Sequence, residues 1–168
     1  GHAGWWNKLS FHGYGEVHYN AAEGKNGVLD AHRLVLGWNY QFNDRWLFSA
    51  ELDFEHSFSE PELEYAYVEC VLTDHMSMRA GVMLMPFGIL NETHEPPLFY
   101  SVERPYTEKF LIPTSWQETG AGLLGEHGGL SWNVYLTGSL DATRATGSKI
   151  GKEGLRSFRS GSVESDAA

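Results

Sequence analysis

The chain has a single cysteine, Cys70, so no internal disulfide can staple it and no paired-cysteine zinc knuckle exists. It has no long apolar run, which excludes a transmembrane helix. A membrane β-barrel is untouched by that absence, because its apolar and polar residues alternate and average out. Basic residues are scarce: 12 Lys and Arg stand against 22 Asp and Glu, a formal net charge of −10. That balance argues against a nucleic-acid partner. There is no nucleophile elbow, phosphate-binding loop or kinase motif, and Gly13-Tyr14-Gly15 is not followed by a helical pattern, so it is no dinucleotide fingerprint. The first six residues lack the basic start and apolar core of a signal peptide.

What the sequence does have is glycine, aromatic residues and alternation. Its 168 residues suffice for one domain, expected over 1–168, and 14% of them are aromatic. Period-two patterning predicts seven strands at 11–20, 31–42, 45–56, 63–72, 76–85, 116–125 and 130–141. Each is near the ~9–11 residues of a tilted strand that crosses a bilayer. The second and third strands are the clearest. Leu34, Leu36, Trp38, Tyr40 and Phe42 oppose Arg33, Val35, Gly37, Asn39 and Gln41; Trp46, Phe48, Ala50, Leu52 and Phe54 oppose Leu47, Ser49, Glu51, Asp53 and Glu55. Trp38, Tyr40, Phe42 and Trp46 gather beside Asn43-Asp44, where a bilayer interface favours amphipathic rings.

The connections alternate in length. Short turns are expected at Asn43-Asp44, Thr73-Asp74-His75 and Glu126-His127-Gly128-Gly129, and longer ones at 21–30, 57–62, 86–115 and 142–161. A meander with short turns on one side and long loops on the other is the layout of an outer-membrane barrel. The expected fold is therefore all-β, an antiparallel up-and-down transmembrane β-barrel. Seven strands is an odd number and an open barrel leaves edges that lipid does not tolerate, so the chain reads as an incomplete segment of a larger barrel. The tail beyond 142 reads as a polar loop.

On this reading Glu16, Arg33, Glu51, Asp53, Glu55, Glu69, Arg79 and Glu118 line the pore. Charged rings of one sign set ion preference, and these are mainly acidic. Arg33 and Arg79 also fit a purely structural role, paired with Glu51 or Glu69. His12, Glu16 and His18 share a face, and His94, Glu95 and Glu103 lie close in sequence, but neither group has a metal-motif spacing such as HExxH. No metal, cofactor or enzymatic step is expected. The rival is a soluble all-β carbohydrate-binding or carbohydrate-active domain, with its apolar faces packed together inside and carboxylates such as Glu51 and Glu55 at a cleft.

The stretch 86–115 is the most distinctive text, with His94-Glu95-Pro96-Pro97, Glu103-Arg104-Pro105 and Lys109. Its prolines stiffen it, and a loop this long is usually functional. In a pore it folds inward and narrows the channel, which makes His94, Glu95, Glu103, Arg104 and Lys109 candidate constriction residues. Together with Gly13-Tyr14-Gly15-Glu16-Val17-His18-Tyr19-Asn20, with Arg79-Ala80-Gly81 leading to Pro86-Phe87-Gly88, and with Gly154-Leu155-Arg156-Ser157, this loop resembles the phosphate-selective porin O and P family and related bacterial porins. The resemblance implies passive diffusion of small hydrophilic solutes or ions through the bacterial outer membrane. Its members are longer, closed and often trimeric, so outer-membrane lipid and further copies of the chain are the implied partners, and the present chain corresponds to the N-terminal part. Phosphate selectivity is not implied: the arginine rows and lysine cluster of the selective members are missing, and the lumen-side residues are mostly acidic.

Overall fold

A computed structural model describes residues 4–21, 23, 24, 26–55, 59–88, 91–93, 98 and 115–138. It is a single antiparallel sheet of seven strands in sequence order: β1 (Leu9–Asn20), β2 (Val28–Gln41), β3 (Trp46–Glu55), β4 (Glu60–Thr73), β5 (Met76–Leu84), β6 (Gln117–His127) and β7 (Leu130–Thr137). This is the expected all-β, up-and-down meander, and it suits a partial barrel wall. The sheet is not closed: β1 and β7 are its edges. Short 3-10 turns at Trp5–Lys8 and Asn91–Thr93 are the described helical pieces.

The short turns follow from their residues. Asn43 accepts backbone N–H bonds from Arg45 and Trp46 on its Oδ1, at 2.9 and 3.0 Å, so its side chain builds the β2–β3 turn. The β6–β7 turn is Gly128-Gly129, both at positive φ (59° and 80°). A two-residue hairpin that matches strand twist needs that conformation, and glycine adopts it without steric cost.

On the other side of the sheet the expected contrast in length is weaker. Pairing of β1 with β2 continues to Asn20↔Val28, and pairing of β3 with β4 continues to Glu55↔Glu60. The connections 21–30 and 57–62 therefore shrink to 21–27 and 56–59, the latter no longer than the 42–45 turn. Only the link between β5 and β6 is long among those whose two strands are described. The sequence placed the strand starts too late because Val28, Leu29 and Glu60 lie in segments whose turn-like neighbours mask them.

Direct cross-strand partners share a face, so the register fixes two surfaces. One carries Phe11, Leu34, Leu36, Trp38, Phe48, Ala50, Leu52, Val68, Ala80, Val82, Leu123, Val134 and Leu136. Its large side chains are open on inner and edge strands alike: Leu36 is 46% exposed, Phe11 75% and Leu136 82%, while the small Ala50 is buried. The other carries Ser49, Glu51, Asp53 and Glu118, all buried, with Glu51 at 2% and Asp53 at 3% exposure. A flat single-layer sheet exposes both faces alike, so this asymmetry belongs to a sheet curled with its polar face inside. It is the reverse of a soluble domain, whose apolar side is covered. The packed apolar interior required by the soluble rival is absent among the described residues.

Along β1, Phe11 to Tyr19 covers roughly 27 Å at ~3.4 Å per residue. A strand tilt of ~40° reduces that to roughly 21 Å, close to the ~25 Å apolar band of outer-membrane barrels. Trp5, Trp6, Phe42 and Trp46 are exposed at the short-turn end, and Tyr19 at the other. Tyr40 and Phe42 meet edge to face at 5.0 Å, and Lys8 Nζ donates to the Phe42 carbonyl at 2.8 Å. Cys70 is buried among apolar neighbours, opposite Trp46 and Met78.

Candidate functional site

The polar face is organised in cross-strand rows. In the first, His12, Gly37, Glu51 and Tyr65 lie side by side on β1 to β4. A side chain at position 37 would collide with the His12 ring. Because glycine stands there, His12 crosses the strand and brings Nε2 to 3.1 Å from both Glu51 Oε2 and Tyr65 Oη. The Tyr65 hydroxyl donates to the same carboxylate oxygen at 3.3 Å. A buried carboxylate is costly unless it is hydrogen-bonded, and Glu51 has two such partners.

The second row is Glu16, Arg33 and Glu55. Arg33 donates to Glu55, and its Nε lies 3.1 Å from Asp53 Oδ2, so one guanidinium serves two carboxylates of β3. The third is Glu69, Arg79, Gly122 and Tyr135. Arg79 donates from Nε and Nη2 to Glu69 Oε2 at 3.0 and 2.8 Å, and its guanidinium stacks 4.2 Å from the Tyr67 ring centre. Stacking of this kind suits arginine's planar group. Gly122 leaves room for the Tyr135 ring, as Gly37 does for His12. Glu118 accepts from the Trp116 indole N–H at 2.9 Å.

All eight residues singled out on the strands, Glu16, Arg33, Glu51, Asp53, Glu55, Glu69, Arg79 and Glu118, thus lie on one face. The pairing differs from the expectation in one respect: Arg33 takes Asp53 and Glu55, whereas Glu51 belongs to His12 and Tyr65. The loop candidates His94, Glu95, Glu103, Arg104 and Lys109 lie outside the described residues.

Two residues reach this face against the alternation. The register slips between Glu16 and Val17, leaving His32 as an extra residue on β2, and between Glu51 and Leu52, leaving Glu64 extra on β4. By strict period two from Leu34 and from Ala66, both would point to the apolar side. The bulges turn them back. Glu64 is buried and near Asp53. His32 stacks on His18, with ring centres 4.1 Å apart and planes 14° apart. His18 Nε2 lies 2.6 Å from Glu16 Oε1, and His32 Nδ1 lies 2.9 Å from Asp30 Oδ2. Glu16, His18 and His32 offer ligand atoms all within 4.8 Å of one another, so this is the group able to hold a metal among the described residues. His12, which shares a face of β1 with Glu16 and His18, is engaged by Glu51 instead.

A third residue without an assigned role is Asn91. It is fully buried at the base of the long connection. Its Nδ2 donates to the carbonyls of Met85 (2.6 Å) and Trp116 (2.9 Å), while its Oδ1 accepts from the Trp116 N–H (3.0 Å). The loop therefore leaves β5 and enters β6 through one clamped point. Just beyond it, Glu92 lies within electrostatic reach of Tyr135 on the polar face.

The comparisons with known proteins agree with this architecture. An uncharacterised protein of Aquifex aeolicus (strain VF5) is 36% identical over 143 residues, which cover 80% of this chain and 33% of that protein. The chain thus spans about a third of the length of that relative. No solved structure matches. The family model of the phosphate-selective porins O and P matches residues 8–161, all seven strands included, and the chain belongs to that family.

Proposed function

We propose that this chain forms part of the wall of an outer-membrane porin, a passive diffusion channel for small hydrophilic solutes or ions. The observation that carries the reading is the inverted polarity of the sheet, with Phe11 and Leu136 exposed on one face and Glu51 and Asp53 buried on the other. The apolar face meets lipid and the polar face lines water. Short turns lie on the periplasmic side and the long connection on the outer side. Closure requires strands beyond β1 and β7, since lipid tolerates no open sheet edge.

Selectivity follows from the lining. Glu16, Glu51, Asp53, Glu55, Glu69 and Glu118 outnumber Arg33 and Arg79, and both arginines are already paired with carboxylates. The uncompensated charge is negative, so this part of the lumen favours cations, whatever the family's name describes in other members. The stretch 86–115, clamped by Asn91, shapes the constriction, with His94, Glu95, Glu103, Arg104 and Lys109 as its charged positions. Assembly as a homotrimer belongs to the same proposal.

The test is reconstitution of the whole protein in a planar bilayer. Stepwise conductance increments are expected, with a reversal potential in a potassium chloride gradient that has the sign for potassium. Absence of conductance from a folded, inserted protein would overturn the channel reading, and an anion-signed potential would overturn the account of its selectivity.

A further inference from the structure

We propose that Glu16, His18 and His32 form a binding site for a divalent transition-metal ion, zinc by their donor chemistry, at the long-connection end of the polar face. The proposal rests on the reading of that face as water-filled.

The three side chains come from two adjacent strands and converge because of a bulge. Glu16 and His18 share a face of β1 by ordinary alternation. His32, two residues from Leu34 on β2, would point into lipid if the strand were regular. The slip at Glu16/Val17 makes it the extra residue and re-aims it at His18. Bulges that redirect a side chain are frequent next to functional sites. An imidazole beneath lipid would be costly, but avoiding that cost requires only that the ring reach water. It does not require that the ring lie beside a second imidazole whose Nε2 has a carboxylate 2.6 Å away; for both rings to meet one ion, the stack opens by side-chain rotation.

The donor set is two imidazoles and one carboxylate. That is a recognised ligand set for zinc with one position open to water or solute. A tetrahedral ion with bonds of ~2.0–2.1 Å holds its ligands roughly 3.4 Å apart. Atoms already within 4.8 Å of one another reach that spacing by rotation of side chains, with the strands left in place. The outer shell is also present. Asp30 Oδ2 lies 2.9 Å from His32 Nδ1, the kind of carboxylate–histidine contact that orients metal-ligating imidazoles. Glu16, His18, His32 and Asp30 are each partly exposed, so an ion from the lumen can enter. Bound there, it would place positive charge beside the Glu16–Arg33–Glu55 row and weaken the local preference for cations.

The test uses the whole protein in detergent micelles, stripped with a chelator and titrated calorimetrically with zinc chloride in excess magnesium. One saturable zinc equivalent per chain is expected from this site. His18→Gln and His32→Gln should each weaken it at least tenfold, and Asp30→Asn about 10–100-fold, as outer-shell changes do. His75→Gln, at the opposite end of the sheet, should leave it unchanged. Strand circular dichroism and heat-modifiable gel migration report that each variant is folded. Zinc binding that H18Q and H32Q retain, binding that magnesium abolishes, or no saturable binding would each overturn the site. Conductance of the same preparation is read separately, so a pore without zinc binding refutes only the site, and a protein without conductance refutes the porin reading.

Discussion

Asn91 and Trp116 hold each other through two hydrogen bonds, side-chain amide to backbone on both the donor and the acceptor side. With its third bond, to Met85, the Asn91 side chain takes the place of a strand residue and extends the ladder between β5 and β6. The long connection is thereby pinned at its root, which is what a loop needs if it is to hold a fixed shape over an opening. Replacing Asn91 with Ala removes both sides of the clamp and takes from the Trp116 N–H its acceptor, a loss of ~1–3 kcal/mol, while the Met85 and Trp116 carbonyls keep the N–H groups of Phe87 and Met85. We expect a lower temperature for loss of heat-modifiable migration, and larger or noisier single-channel currents. Unchanged currents in a destabilised N91A protein would mean that the loop does not shape the constriction.

The charge of the polar face yields a paired prediction. Glu51→Gln with Asp53→Asn removes two buried carboxylates and leaves Arg33 less balanced, so the reversal potential should move toward zero or toward the anion sign. Arg79→Gln should move it the other way by freeing Glu69. The two carboxylate changes are near-isosteric, which separates charge from pore width. If all variants share one reversal potential, these side chains do not face the permeation path.

The two faces of β2 should tolerate charge very differently. Leu36→Arg puts a cation on the exposed apolar face near the middle of the band, where such a substitution costs ~2–4 kcal/mol in a bilayer. Asn39→Arg places the same group on the polar face between Ser10 and Ser49, with a small fraction of that cost. Equilibrium folding into lipid vesicles measures both. Equal costs would contradict the assignment of faces.

Much of this architecture was legible from alternation. In a strand with intact period two, such as β3, alternation gives the right faces, because side-chain direction in a strand depends on parity alone. The eight charged strand positions fell on one face for the same reason. Parity fails at a bulge, and that is why His32 and Glu64 were missed. Each is a polar residue at an apolar position, a local contradiction that could have flagged a slipped register. Alternation puts Gly37 on the polar face, but only the register shows it as the gap that lets His12 reach Glu51. Asn91 was invisible as a clamp, because a loop asparagine carries no sign of which carbonyls it will meet. The loop-length contrast is weaker than composition implies, because residues 28–30 and 60–62, turn-like in sequence, continue the ladders.

The most direct test of the central claim, lipid on one face and water on the other, is spin-label accessibility along β2 in vesicles. Single cysteines would replace residues 34 to 41 in turn, except Gly37, where a side chain meets the His12 ring, in a Cys70→Ser background. The account predicts oxygen accessibility peaking at Leu34, Leu36, Trp38 and Tyr40, and accessibility to a water-soluble nickel chelate peaking at Asn39 and Gln41. Opposite phase, or the absence of any two-residue period, would contradict it.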